Sequence, residues 1–191
     1  MDIRNFFFKN RSFTPIPLAL LIIYFSRPAF PYLYYGAGCL FLGESIRFWA
    51  VRYAGGITRT TKVGAPALCS SGPFARVRNP LYIGNLLIFT GVTLVAGAPN
   101  IWLMLAVVWA FLIIQYALIV DLEEETLAGL FGSDYDLYKE NVPKLIPRLS
   151  PWKSEDHRSP MTWKKTLKTE KRTLQNIVLI IIFIVIRWQF V

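Results

Sequence analysis

Long apolar segments separated by short polar ones dominate this chain. Four of them lie at about residues 14–25, 30–54, 80–96 and 101–120. Pro28 and Pro31 make the first gap a turn, and Gly97-Ala98-Pro99-Asn100 links the third and fourth segments as a helical hairpin. Since a helix needs about 20 apolar residues to cross the roughly 30 Å hydrocarbon core of a bilayer, the pattern predicts transmembrane helices.

A fifth apolar segment lies near the C-terminus. Ile177 to Ile186 is short alone but reaches spanning length as residues 174–191, with Trp188 as an interfacial anchor. A re-entrant or interfacial helix is the alternative. The expected fold class is therefore all-α: one integral membrane helical bundle over residues 1–191, with about five transmembrane helices and an amphipathic helix at the cytoplasmic face.

Composition agrees with a membrane location. Hydrophobic residues make up 54% of the chain and charged residues 17%, with a mean hydropathy of +0.40. Soluble globular domains carry about a quarter charged residues, so the composition favours a membrane protein over a soluble one. Arg4, Lys9 and Arg11 precede the first apolar segment as in a signal peptide, but no small-residue cleavage site follows. We expect a retained anchor.

Basic residues orient the bundle. The connection between the second and third segments carries Arg52, Arg59, Lys62, Arg76 and Arg78. Ten more bases follow the fourth segment: Lys139, Lys144, Arg148, Lys153, Arg158, Lys164, Lys165, Lys168, Lys171 and Arg172. The positive-inside rule places both connections and the N-terminus in the cytoplasm. This topology and attraction to anionic membrane lipids account for the +9 net charge without a nucleic-acid partner.

Cysteine and histidine chemistry is not favoured. Cys39 lies in a predicted span and Cys69 in a cytoplasmic connection, without metal-ligand spacing. His157 is the one histidine, which argues against a metal site and a Ser-His-Asp triad.

The first polar segment of interest runs from Ser71 to Gly84. Asn79 is placed as an N-cap and Pro80 opens the third apolar segment at a position where its missing N–H costs nothing. A helix start with Arg78 beside it is a seat for a carboxylate or phosphate. The alternative is that Arg76 and Arg78 are topological charges and Asn79 only a cap.

The second polar segment runs from Asp121 to Pro147. Four acids end the fourth apolar segment: Asp121, Glu123, Glu124 and Glu125. Acids at a membrane boundary are costly unless they face water or a cation. An amphipathic pattern interrupted by Gly132 follows, made by Leu127, Leu130, Phe131, Tyr135 and Tyr138. For the aromatic residues alone, an interfacial helix is the alternative.

Read together, the two segments carry an ordered set of motifs. These are Gly72-Pro73-Phe74, Arg78-Asn79-Pro80, Tyr82, Gly84, Glu123-Glu124, Phe131-Gly132, Tyr135, Tyr138 and Val142-Pro143. The set resembles the isoprenylcysteine carboxyl methyltransferases and related phospholipid methyltransferases. The resemblance covers about residues 72–147, followed by a basic polar linker at 148–173 and the C-terminal apolar helix at 174–191.

The resemblance implies a methyltransferase that uses S-adenosylmethionine on a lipid-like or prenylated acceptor. The implied catalytic residues are Glu123, Glu124 and Arg78. The implied cofactor-binding residues are Arg78, Asn79, Pro80, Tyr82, Gly84, Glu123, Phe131, Tyr135 and Tyr138. Carboxylates suit the sulfonium, Arg78 and the helix start suit the methionine carboxylate, and the aromatic rings suit the adenine or sulfonium.

Two departures keep the acceptor open. Asn79 stands where the protein-methylating members have His, and Val120 stands where those members carry Arg. The acceptor is therefore a carboxylate, an amine or a thiol. A membrane reductase using a nicotinamide cofactor and a non-enzymatic scaffold are the alternative functions.

An acid–base pair is also expected inside the second apolar segment. Glu44 and Arg47 are three residues apart and share one helix face. They line either the acceptor or cofactor site, or form a salt bridge that fixes the bundle.

Overall fold

The computed structural model describes residues 2–55 and 63–190, and within them the fold is all-helical. One 3-10 turn, Gly72–Ala75, accompanies seven helices: α1 Ile3–Asn10, α2 Ile16–Tyr24, α3 Tyr32–Ala54, α4 Pro80–Ala96, α5 Ile101–Phe131, α6 Ser133–Asn141 and α7 Trp163–Gln189. The all-α prediction is confirmed for this part of the chain. Arg59, Lys62 and Val191 lie outside the described residues.

Glycines allow α3 and α4 to pack closely. A Cβ added to Gly36 would lie 2.7 Å from the carbonyl oxygen of Gly91, and one added to Gly43 would lie 2.8 Å from that of Gly84. Helices in membranes associate through such small residues because lipid provides no hydrophobic force between them. This contact fixes the start of α4, where the candidate site lies.

The hydrophobic core joins the other helices to this pair. Ile22 of α2, Val92 of α4, Leu112 of α5 and Ile184 of α7 are almost completely buried in one cluster. A smaller cluster packs Phe8 of α1 against Ile119 and Leu122 of α5. Apart from this core, large apolar side chains remain exposed on α2, α3, α5 and α7.

Helix lengths revise the predicted spans. Within the described residues, α5 alone is both long and apolar enough to cross a bilayer, and α4 is apolar but has 17 residues. Helix α2 has nine residues and spans about 13 Å, less than half of the hydrocarbon core. A spanning helix at residues 14–25 is not confirmed, because Pro15 precedes α2 and Phe25 ends it. Five spans are not confirmed.

The fourth apolar segment also differs from its prediction. Helix α5 continues without a break through the four acids to Phe131, instead of ending near Val120. No proline lies between Val120 and Phe131, and α5 runs through Gly129, whereas Gly132 adopts a positive φ of 51° and ends the helix. The predicted interruption at Gly132 is confirmed.

Helix α7 begins inside the segment expected to be a polar linker. Its 27 residues from Trp163 include the basic residues up to Arg172. Neither Gly nor Pro occurs after Pro160, and Lys, Leu and Gln are good helix formers. The basic and apolar halves therefore form one continuous helix.

Residues 142–161 form an irregular crossing segment that packs over the 3-10 turn. The backbone N–H of Arg148 donates to the carbonyl of Arg76 at 3.0 Å, and that of Trp152 donates to the carbonyl of Ala75 at 2.8 Å. Partial burial disfavours the charged form of Asp156, but hydrogen bonds from the Ser70 N–H and Arg158 outweigh it and hold its pKa below the usual range. The crossing segment thereby brings residues 139–144 against the start of α4.

Candidate active site

The turn before α4 is anchored by α6 and the residues after it. Gly72 has a φ of +59° and lies against the Tyr53 ring, where a Cβ would meet ring carbons at 2.5 Å. The Tyr138 hydroxyl donates to the carbonyl of Phe74 at 2.8 Å, and the Arg78 N–H donates to the carbonyl of Pro143 at 2.9 Å. The two sequence segments singled out for chemistry therefore meet in space.

Arg78 is held by four hydrogen bonds. Its Nε and Nη2 donate to Glu124 Oε1 at 3.1 and 2.9 Å, and its Nη1 donates to the carbonyls of Lys139 at 3.1 Å and Val142 at 2.7 Å. Lys144 Nζ lies 3.3 Å from Glu124 Oε2, and its side chain is 42% exposed. Glu124 thus bridges a fixed guanidinium and a lysine that reaches solvent.

Asn79 occupies the position before α4 but does not cap the helix with its side chain. Its Nδ2 donates instead to the carbonyl of Lys144 at 3.2 Å. Pro80 is the buried first residue of α4. The Arg-Asn-Pro step therefore ties the residues after α6 to the start of α4.

Glu123 faces a different partner from its neighbour. The Tyr82 hydroxyl donates to Glu123 Oε2 at 3.0 Å, and the Tyr82 ring packs on Tyr116 with centroids 4.8 Å apart. Successive residues of a helix point about 100° apart, so Glu123 points toward Tyr82 while Glu124 points toward Arg78. The site combines a carboxylate beside two aromatic rings with a second carboxylate beside two cations.

The other two acids lie on the outer side of α5. Arg4 Nη1 is 2.8 Å from Asp121 and 2.7 Å from Glu125, whose side chains are 65% and 66% exposed. The expectation that these acids face water or a cation is thus met by Arg4 of α1. Nothing in this arrangement directs them toward Glu123 or Glu124.

The aromatic residues expected to wall the cofactor form a buried cluster. Tyr135 and Tyr138 are 1% and 3% exposed and pack with Val142, Phe131 and Trp152. Burial raises the pKa of both tyrosine hydroxyls above the usual range, so they stay protonated. Their rings pack α6 against the crossing segment.

Gly84 faces α3 rather than the acids. A Cβ there would lie 2.6 Å from Arg47 Cγ and 2.9 Å from the Gly43 carbonyl oxygen. Close helix packing by itself requires glycine at this position.

Arg47 forms a second charged cluster that sequence reasoning found only in part. The expected Glu44–Arg47 pair is present at 3.9 Å. Arg47 makes shorter bonds, from Nη2 to Glu170 Oε2 at 2.6 Å and from Nη1 to Asn85 Oδ1 at 2.5 Å. Glu170 was missed because α7 was taken as a linker up to residue 173. Glu170 shares a helix face with Thr166 and Thr173 and is an acid surrounded by lysines. This pattern is the sequence signal that could have identified it.

A cavity of about 480 Å³ lies elsewhere, beneath the crossing segment. Trp49, Ser70, Trp152 and His157 are among its lining residues, and none of the predicted site residues is. Within residues 2–55 and 63–190, no group of three or more His, Cys, Asp or Glu side chains is arranged to hold a metal ion.

Known proteins resemble this chain over the same region. The phospholipid methyltransferase family matches residues 32–134, more than half of the chain. The cobalt-zinc-cadmium resistance protein CzcN of Cupriavidus metallidurans is 27% identical over 130 residues, which are 68% of this chain and 53% of that protein. The nickel-cobalt-cadmium resistance protein NccN of Alcaligenes xylosoxydans xylosoxydans is 28% identical over 109 residues, 57% of this chain and 46% of that protein. The chain spans about half the length of these curated relatives, and no solved structure matches it.

Proposed function

The chain belongs to the phospholipid methyltransferase family, and we propose that it transfers a methyl group from S-adenosylmethionine to a lipid-like acceptor at the cytoplasmic face of a membrane. The resemblance expected from the motifs is thereby confirmed at the level of the family. One observation of the structure supports the proposal most directly. Glu123 receives a hydrogen bond from Tyr82 at 3.0 Å, within the matched residues and beside a second carboxylate.

The residues present fit the cofactor. S-Adenosylmethionine supplies a methyl group activated on a positively charged sulfonium. Glu123 with the Tyr82 and Tyr116 rings suits that cation through charge and aromatic contact. Lys144, whose side chain is 42% exposed, suits the methionine carboxylate.

Arg78 and Glu124 have positioning roles in this proposal. Four hydrogen bonds already hold the Arg78 guanidinium, so it keeps Glu124 and residues 139–142 in place. Asn79 and Pro80 fix the start of α4, Gly84 seats α4 on α3, and Phe131, Tyr135 and Tyr138 support α6. These residues build the site around Glu123 and Lys144.

The acceptor is proposed to enter from the bilayer. Apolar side chains on α5 such as Leu103, Ile113 and Ile114 are 54–61% exposed, a surface suited to lipid chains. Methyl transfer to a carboxylate, amine or thiol needs no covalent intermediate. The protein contributes by holding the acceptor in line with the methyl group and by excluding water.

A multi-pass topology belongs to the same proposal. Helices α3 and α7 have 23 and 27 residues and are about 35 and 40 Å long at 1.5 Å per residue. With α4 and α5 they would cross the bilayer, and α1 and α2 together would cross beside them, since Arg4 pairs with Asp121 at one end and the Arg27 N–H bonds to the Ala96 carbonyl at the other. The basic connections then place Glu123 and Lys144 at the cytoplasmic side.

Cofactor binding to the detergent-purified chain tests the proposal. Calorimetry should detect saturable binding of S-adenosylmethionine and S-adenosylhomocysteine. Glu123→Gln removes the charge beside the sulfonium, so it should weaken binding of S-adenosylmethionine at least about tenfold, whereas Arg78→Ala releases residues 139–142 and should weaken binding of both ligands by a similar factor. The matched control Glu125→Gln, which alters an exposed acid two residues away, should retain wild-type affinity.

The opposite results are equally clear. No binding by the wild type, or equal losses in Glu125→Gln and Glu123→Gln, overturns the proposed function. Saturable binding of a nicotinamide dinucleotide in its place would favour the reductase alternative.

A further inference from the structure

The first three turns of α7 carry a row of basic side chains. At 100° per residue, these side chains fall within about 120° of arc and form what we call the basic stripe. All five are exposed: Lys164, Lys165, Lys168, Lys171 and Arg172. The opposite side of the helix carries Thr166 and Glu170, both fully buried against the bundle.

The rotation of α7 about its axis is fixed by a buried contact. Glu170 Oε2 accepts from Arg47 Nη2 at 2.6 Å and from Arg47 Nε at 3.0 Å. Thr173 accepts from the same guanidinium at 3.3 Å. Because this face is held against α3, the basic stripe is held outward.

The charge of the stripe is not neutralised within the bundle. Over residues 2–55 and 63–190, none of its five side chains lies in a salt bridge. The acid on the same helix stretch, Glu170, is committed to Arg47. Five positive charges therefore point outward from three helical turns.

The apolar half of α7 fixes where the stripe lies. Val178, Leu179, Ile182 and Phe183 are 46–55% exposed, and exposed side chains of this kind are stable in hydrocarbon. Arg172 precedes Val178 by six residues, or about 9 Å along the helix. That offset puts the Arg172 end of the stripe at the depth of the lipid headgroups, and the stripe extends about 12 Å from there away from the hydrocarbon.

We propose that the basic stripe binds the anionic headgroups of membrane lipids, and so holds α7 against the cytoplasmic leaflet beside the candidate site. Charge complementarity favours this occupant, since Lys and Arg within a Debye length of an anionic leaflet are each attracted to it. Position at the edge of an apolar helix favours a lipid surface over a nucleic acid. The proposal does not depend on methyl transfer.

Lipid titration of the detergent-purified full chain tests it. Native mass spectrometry would count bound phosphatidylglycerol and phosphatidylcholine for the wild type, the stripe variant Lys164→Gln/Lys168→Gln/Lys171→Gln and a matched control. The control, Lys9→Gln/Lys139→Gln/Lys153→Gln, removes the same charge from exposed positions elsewhere. Phosphatidylglycerol affinity should fall at least about tenfold in the stripe variant, and phosphatidylcholine binding should not change.

A charge-preserving variant separates charge from folding. Replacing the same three lysines by arginine should retain phosphatidylglycerol binding, which also falls with added salt. Equal losses in the stripe and control variants, or no preference for phosphatidylglycerol over phosphatidylcholine, would overturn the proposal. So would stripe-dependent binding of a single-stranded oligonucleotide by a chain that shows no lipid preference.

Discussion

Two charged clusters lie in this bundle, and their burial differs. In the interhelical cluster, Arg47 and Glu170 are 9% and 0% exposed in their side chains, and Asn85 completes it. In the carboxylate cluster, Arg78 and Glu124 are 9% and 14% exposed, but Lys144 is 42% exposed. The hydrogen bonds have similar lengths in both. A closed cluster suits a joint between helices, whereas one with an exposed cation suits a site that exchanges partners.

The elements that hold each cluster explain this difference. The interhelical cluster joins faces of α3, α4 and α7 through Arg47, Asn85 and Glu170. The carboxylate cluster joins the start of α4, the C-terminal part of α5 and the backbone carbonyls of Lys139 and Val142 at the end of α6. Helix ends provide unpaired backbone groups. The carboxylate cluster therefore combines charged side chains with backbone carbonyls, whereas the interhelical cluster consists of side chains alone.

The largest expected effect comes from breaking the interhelical cluster. Glu170→Ala leaves Arg47 buried without its carboxylate, which costs about 3–5 kcal/mol in comparable buried pairs. Denaturant unfolding in detergent micelles should show a loss of that size in the free energy of unfolding. The double variant Arg47→Met/Glu170→Met should recover part of it, because the guanidinium is no longer buried, whereas Glu44 loses the cation 3.9 Å away.

A matched acid shows whether the loss belongs to burial. Glu125→Ala removes an acid of the same type whose side chain is 66% exposed. Its free energy of unfolding should stay close to that of the wild type. If Glu170→Ala behaves like Glu125→Ala, the interhelical cluster is not a joint.

The second effect concerns Gly84 of α4, which packs against Arg47 of α3. In Gly84→Ala the new Cβ would lie 2.6 Å from Arg47 Cγ and 2.9 Å from the Gly43 carbonyl oxygen. Overpacking of this kind costs roughly 1–3 kcal/mol, so the midpoint temperature of thermal unfolding should fall. Gly38→Ala on α3 has nothing within 4 Å of its Cβ and should unfold at no lower temperature than the wild type. Equal shifts in the two variants would contradict close packing at Gly84.

The carboxylate cluster was largely predictable from the sequence because its residues form recognisable motifs in two segments of the chain. Arg78, Tyr82, Glu123 and Glu124 were expected to act together, and the structure brings them into two adjacent pairs. The predicted end of the fourth apolar helix near Val120 was wrong. Helix α5 continues to Phe131 because it contains no proline and Gly132 is the residue that ends it. Lys144 was not singled out because one lysine among many bases carries no motif.

The interhelical cluster was predictable only in part. Glu44 and Arg47 are three residues apart, so helical spacing indicates the pair. Arg47 and Glu170 are 123 residues apart, and tertiary packing of α7 on α3 alone brings them together. The α4–α5 hairpin, in contrast, follows from the local turn at Gly97 to Asn100, and it is confirmed.

A third, smaller effect should come from the carboxylate cluster. Glu124→Gln weakens the bonds from Arg78 and the attraction to Lys144, but the Arg78 bonds to two backbone carbonyls remain. We expect a loss of roughly 1–2 kcal/mol in the free energy of unfolding, less than for Glu170→Ala. Glu140→Gln, an exposed acid of α6, is the control and should change nothing measurable. A loss as large as that of Glu170→Ala would erase the distinction between the clusters.

The smallest effect should come from Tyr82→Phe, which separates the hydrogen bond to Glu123 from the aromatic ring beside it. The variant keeps the ring against Tyr116 and deletes the hydroxyl that lies 3.0 Å from Glu123 Oε2. One hydrogen bond of this kind contributes about 0.5–1.5 kcal/mol. The rate of methyl transfer should therefore fall about two- to tenfold, while calorimetric affinity for S-adenosylhomocysteine, which lacks the sulfonium, stays near that of the wild type. Tyr34→Phe, at a ring that is 71% exposed, should alter neither quantity. An unchanged rate in Tyr82→Phe would mean that Glu123 acts without this hydrogen bond, and that the carboxylate and the neighbouring rings are enough.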